Sequence, residues 1–390
     1  MRGVRGSATF RRVPIFATRA ARWFGILALG ATAFALALTE IDVSGGWKGL
    51  YLLHGTGGAP LELADDVYLG EGPRVIGSVP FDGLRRLVHL QDENLHHGPW
   101  LELDWDDALA RGLVRNHLGD GTELVTMLSR WDNGGGDGGA RHGVFIGGSV
   151  PDVAVYTARQ NESGMAFRER SGTWRHVWCN ANEAIWDVAA AREIDTWQYR
   201  YLGSQVLVRD AERVVIESTH EADVGGVPLR MSRVAQFAAG KPYLLLGISL
   251  ENIGTAPVRY MFLYGDEPWV GNFGNADGNL GWTSDGVFAD EAAIDPVSHR
   301  WAGIVDTGSG TANFLAWIGR EFPTKVYVSN DIGELVPGRP LASDHIFIGT
   351  EWHQELMPGE VRHVLIAIGM AERDAVGNLR PPRSLFARKD

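Results

Sequence analysis

Residues 205–219 set the terms for the fold. Val206 and Val208, then Val214 and Ile216, alternate with polar neighbours on either side of Asp210-Ala211-Glu212. Alternation with a period of two puts one side of an extended chain into a core and the other into solvent. The two runs, Gln205–Arg209 and Arg213–Thr219, therefore predict a β-hairpin. Tyr243–Glu251 and Val258–Tyr264 form a second pair of strands, joined by Asn252-Ile253-Gly254-Thr255-Ala256-Pro257, and Val361–Gly369 follows the turn Met357-Pro358-Gly359-Glu360. Fifty Gly and 17 Pro in 390 residues supply turns in number. Helix signals are confined to Asn182–Ile194, expected to form one helix, and Asp106–Leu113, a turn or two. Strands without regular strand–helix alternation predict an all-β chain, a large antiparallel sandwich occupying residues 51–390 as one domain.

The N-terminus is of a different kind. Trp23–Leu38 reads WFGILALGATAFALAL without a charge. As a helix it would span about 24 Å at ~1.5 Å per residue, slightly less than a ~30 Å hydrocarbon core. Six Arg and two acids give residues 1–45 a net charge of +4, within a chain of −12. The basic flank predicts a cytoplasmic tail over 1–22, a hydrophobic helix over 23–39 entering the membrane, a linker over 40–50, and a body outside the cytoplasm. The helix reads either as a retained signal anchor or as a signal peptide cleaved after Ala35-Leu36-Ala37. Arg11-Arg12 also resembles a twin-arginine export signal.

Charge and motifs exclude several classes. Residues 46–390 carry −16, which repels phosphate backbones and argues against nucleic acid. The single cysteine, Cys179, permits no intramolecular disulfide and reads as a buried thiol. Gly-x-Ser-x-Gly, His-Glu-x-x-His and Cys-x-x-Cys are all absent from the sequence. Asn133–Gly139 (NGGGDGG) lacks the Gly-Lys-Ser/Thr ending of a phosphate loop. No metal site and no cofactor is expected.

Two segments carry candidate chemistry. In Thr350–Leu356, an extended chain turns Glu351, His353 and Glu355 to one face and Trp352 to the other. Glu351 and His353 are the expected catalytic pair, an imidazole beside carboxylate suited to proton transfer. From 266 to 282 the chain is loop-like and rich in aromatic and polar groups. There Asp266, Glu267 and Asn272 can fix hydroxyls while Trp269 and Trp282 stack on sugar rings. Asn275–Asn279 reads as a set of Asx-turns rather than a calcium loop. Glu102, Asp104 and Asp106 read as the wet side of an ordinary strand, and His96-His97 as a turn.

Residues 227–269, VPLRMSRVAQFAAGKPYLLLGISLENIGTAPVRYMFLYGDEPW, resemble the middle of the galactose-mutarotase-like supersandwich group, as 355–370 do more loosely. The resemblance lies in a strand with basic residues, a Gly-Lys-Pro turn, a long strand, and an Asn-x-Gly-x-x-Pro turn into the next strand. It implies a supersandwich with a concave sheet face that binds sugars, where a His acts as general acid and a Glu as general base. The stretch in which that acid would be expected, Tyr264-Gly265-Asp266-Glu267-Pro268-Trp269, contains no His. The function expected is that of a cell-envelope carbohydrate-binding or carbohydrate-processing protein. The alternatives are a non-catalytic extracytoplasmic subunit stabilising a membrane protein complex, or a hydrolase or lyase of unrelated mechanism. The corresponding partners are a carbohydrate or a membrane protein, with residues 23–39 contacting the bilayer.

Overall fold

The computed structural model describes residues 98–129, 142–147, 164–178, 182–268, 270–271, 279–342, 346–373 and 378–386. The expected tail, membrane helix and linker lie outside these residues, as do His96-His97, Asn133–Gly139, Cys179, Trp269, Asn272 and residues 275–278. Among the described residues no helix is long and apolar enough to cross a membrane.

In chain order the strands are β1 (Trp100–Asp106), β2 (Arg111–His117), β3 (Glu123–Leu128), β4 (Met165–Arg168), β5 (Trp174–Trp178), β6 (Asn182–Asp187), β7 (Arg192–Asp195), β8 (Arg200–Arg209), β9 (Arg213–Val224), β10 (Val227–Ala238) and β11 (Tyr243–Asn252). They continue as β12 (Val258–Asp266), β13 (Asn279–Thr283), β14 (Gly286–Phe288), β15 (Ala292–Ile294), β16 (Trp301–Asp306), β17 (Ala312–Trp317), β18 (Lys325–Ser329), β19 (Phe347–Leu356), β20 (Val361–Met370), β21 (Glu372–Arg373) and β22 (Leu379–Arg380). Strands β1 to β5 form a five-stranded meander. A nine-stranded sheet runs β14-β13-β16-β17-β20-β11-β10-β9-β8, and a six-stranded sheet runs β15-β18-β19-β12-β6-β7. Every pairing is antiparallel, as expected of a β-sandwich.

One apolar core joins the three larger sheets. Leu246, Ile248 and Ile366 enter it from the nine-stranded sheet, Phe262, Ile348 and Trp352 from the six-stranded sheet, and Leu103 and Leu124 from the meander. A second apolar cluster lies on the opposite face of the nine-stranded sheet, with Val234, Leu245, Phe314 and Leu365. Inside the main core Arg233 pairs with Glu183, both side chains fully buried. Arg233 also donates to the carbonyl of Val144 at 2.7 Å and lies 4.1 Å from the centre of the Phe145 ring. A buried pair of this kind costs desolvation and persists because each charge has its partner.

The 205–219 hairpin forms as β8 and β9, with Asp210 Oδ1 accepting the N–H groups of Glu212 and Arg213. Tyr243–Glu251 and Val258–Tyr264 are strands, but they do not pair with each other. The turn between them is an arch that carries the chain from the nine-stranded sheet to the six-stranded one. The turn 357–360 makes the return crossing, and Asn252 clamps the two together. Its amide donates to the carbonyls of Ala256 and Leu356, and its backbone carbonyl accepts the N–H of Gly359.

The expected helix over Asn182–Ile194 is instead the hairpin β6–β7, in which Ile185 faces Ile194 across the ladder. The Ala run is a turn. Asp187 Oδ1 accepts the N–H groups of Ala189 and Ala190, and Ala191 adopts φ 49°. Pairing of β6 with β12 overrides the helix propensity of alanine. The same chemistry replaces the expected helical turns at Asp106–Leu113. Asp106 Oδ1 takes the N–H groups of Ala108 and Leu109, and Ala110 sits at φ 46°.

Candidate functional site

Strand alternation decides which side chains share the outer face of the six-stranded sheet. Ile185, Phe262, Val326, Ile348 and Trp352 point into the core. Their neighbours point away from it: Ala184 and Trp186 on β6, Met261 and Leu263 on β12, Glu351 and His353 on β19, and Lys325 and Tyr327 on β18. Register then sets two rows across the strands. One is Glu193, Trp186, Met261 and His353; the other is Asp195, Ala184, Leu263, Glu351 and Lys325. At about 4.8 Å per strand, Trp186 stands roughly 10 Å from His353. Trp186 and Met261 are half-buried, whereas Glu193 and His353 are exposed.

The expected pair is in contact. Glu351 Oε2 lies 2.9 Å from His353 Nε2, and its Oε1 accepts from Lys325 Nζ at 3.1 Å. The carboxylate side chain is 6% exposed and the imidazole 51%, so the acid is sheltered and the ring faces outward. Thr324 fastens the same stretch. Its N–H donates to the Glu351 carbonyl, and its Oγ1 accepts the backbone N–H of His353. Lys325 Nζ lies 4.5 Å from the centre of the Tyr327 ring. That ring fits only because residue 349 is glycine, where a Cβ would fall 2.2 Å from Tyr327 Cζ. Tyr327 accepts the N–H of Gly333, and burial pushes its phenol well above the ordinary value.

This geometry defines a role for each group. Placed so, Glu351 can accept a hydrogen from His353 Nε2, an arrangement in which Nδ1 is left to exchange a proton with a group lying on the sheet. At the far end of the row, the Glu193 carboxyl is raised above its ordinary value, first by partial burial and then by the charge of Asp195. It therefore keeps its proton to higher pH than a free glutamate. Glu355 shares the face but pairs with Arg259 at 3.2 Å, so Glu351 alone of the two acids binds the imidazole.

The remaining expected residues sit elsewhere. Asp266 ends β12 and is fully buried, and Glu267 follows it half-buried. Trp282 is 3% exposed on the second face of the nine-stranded sheet, packed against Trp301 with ring centroids 4.2 Å apart. The outer face of the six-stranded sheet thus brings together Glu351 and His353 but not Asp266 or Trp282. It adds three residues the sequence reading missed: Lys325, Trp186 and Glu193. The last two were hidden by the expectation of a helix. Among the described residues no group of three or more His, Cys, Asp or Glu converges as metal ligands would.

No family model and no curated protein matches the sequence. Solved structures show a distant similarity. A galactose mutarotase-like protein from Clostridium acetobutylicum is 9% identical at a TM-score of 0.40, over 70% of this chain and 98% of that one. A putative aldose 1-epimerase from Escherichia coli K12 is 9% identical at 0.33, over 69% and 99%. A GH36 α-galactosidase from Geobacillus stearothermophilus is 8% identical at 0.31, over 69% of this chain and 41% of that one.

Proposed function

We propose that this is a carbohydrate-processing β-sandwich protein of the cell envelope, acting on a sugar laid across the outer face of the six-stranded sheet. The observation that carries the reading is the register of Trp186, Met261 and His353 on one face, with Glu351 2.9 Å behind the imidazole. An indole offers a flat apolar surface to the C–H side of a pyranose. His353, oriented by Glu351, takes the proton of the anomeric hydroxyl and passes it to the ring oxygen as the bond between C1 and that oxygen breaks. Reclosure of the ring on the other face of C1, with the proton moved back, gives the second anomer, which is the chemistry of a mutarotase.

The deciding experiment measures glycan binding and mutarotation with the protein and its Trp186→Ala and His353→Ala variants. Loss of binding with Trp186→Ala, and loss of turnover without loss of binding with His353→Ala, is the expected result. Absence of both activities in the parent protein, with a stoichiometric membrane protein recovered alongside it, would replace this reading by that of a complex subunit.

A further inference from the structure

The C-terminal segment builds a second cavity, far in sequence from the dyad. β21 and β22 form a short ribbon in which Glu372 faces Arg380, and the turn Arg383–Leu385 plants a fully buried Leu385 in the second apolar cluster. Between this turn and the start of β16 lies a cavity of about 410 Å³ lined by Trp301, Arg380, Pro381, Arg383 and Phe386. That volume suits a single small ligand, since such sites run from roughly 300 to 1,000 Å³. The ring wall is firm because Trp282 backs Trp301.

Charge is the informative part. In a chain of net charge −12, two of the five residues lining this cavity are arginines. Glu372 faces Arg380 across the ribbon, and both Lys241 and Arg380 act on its carboxyl. Arg383 is exposed at the cavity, and among the described residues no carboxylate pairs with it. A guanidinium presents a planar fork that matches a carboxylate through two parallel hydrogen bonds.

We propose that this cavity binds a carboxylate-bearing sugar, a uronic acid, with the pyranose against Trp301 and Phe386 and the carboxylate on Arg383 and Arg380. The choice of a sugar rests on the carbohydrate reading above; the choice of an acid rests on this cavity alone.

Calorimetric titration of the full chain with glucuronate, glucose and benzoate tests it. Glucuronate is expected to bind and glucose to bind at least about tenfold more weakly, with added salt weakening glucuronate. Arg383→Gln should cost glucuronate about ten- to hundredfold in affinity, and Arg383→Lys should fall between, because it keeps the charge and loses the fork. Arg383 is exposed, so neither variant should disturb the fold, which circular dichroism checks. His353-dependent turnover of a neutral sugar should be unchanged in both. Glucuronate binding that survives Arg383→Gln, or equal affinity for glucose, overturns the assignment while sparing the dyad. Tighter binding of benzoate than of glucuronate overturns the sugar and leaves a site for aromatic acids.

Discussion

Trp186 and His353 stand two strands apart on the same side of the six-stranded sheet, each in register with Met261 between them. In the proposed function the indole is the platform for one bound sugar and the imidazole carries its proton, so binding and chemistry are assigned to different residues.

For the dyad, His353→Ala and Glu351→Gln should both lower kcat, by about 10²- to 10⁴-fold for the histidine. Glu351→Gln should do less harm, because an amide still orients the ring but no longer offsets its positive charge. Substrate affinity should change little in either. Pre-steady-state and binding measurements on one sugar check the split, and a KM effect without a kcat effect would count against proton transfer at His353.

Acid should destabilise the protein well above the carboxylate range. Burial lowers the His176 imidazole to about 4; burial, helped by the charge of Arg233, lowers His220 to about 3. Both depart from an ordinary value of 6.5, so below that pH the unfolded chain takes up protons that the folded one refuses. The stabilisation is complete above 6.5 and drains as pH falls towards 4 and then 3, by up to roughly 8 kcal/mol for the two together. Urea midpoints taken from neutral pH downward should fall, and His176→Gln should flatten the slope.

Breaking the buried pair should cost more than removing it. Arg233→Met leaves the Glu183 carboxylate without its counter-ion and should lose about 3–5 kcal/mol of stability. Arg233→Met combined with Glu183→Leu should recover most of that. Chemical denaturation of the three proteins settles the order, and a double variant no better than the single one would show that Arg233 acts chiefly through Val144 and Phe145.

The expectation of an extracytoplasmic body becomes a topology test. A reporter fused after Asp390 should behave as exported, because six Arg precede the apolar run and acids follow it. A cytoplasmic signal would remove the cell envelope from the proposed function.

Much of the fold was legible because period-two alternation depends on one strand at a time. The 205–219 hairpin and the strand identities of 243–251, 258–264 and 361–369 follow from it directly. Which strands pair does not. The turn 252–257 reads like a hairpin loop, and its role as an arch emerges only from Asn252 reaching Leu356, about a hundred residues away. The helix expected over 182–194 failed for a reason the sequence does contain. Asp106-Asp107-Ala108-Leu109-Ala110-Arg111 and Asp187-Val188-Ala189-Ala190-Ala191-Arg192 share an Asp that caps the turn and an Ala in the left-handed region. Taken alone, 187–192 has the composition of a helix; set beside 106–111, it is the same turn. Glu351 and His353 were found because they lie on one strand, whereas Trp186 and Lys325 join them only through ladders with partners distant in sequence.

Asn252 also bears on how the chain tolerates change. Its donors and acceptors are spent on two of the crossings between the sheets, through Gly254 and Ala256 on one side and Leu356, Gly359 and Glu360 on the other. The lengths of the two crossings are therefore a joint quantity. A residue inserted in 357–360 strips Asn252 of partners even if 252–257 is untouched, and the converse holds. Indels accepted in ordinary surface loops should be refused at both arches, or accepted only as matched pairs.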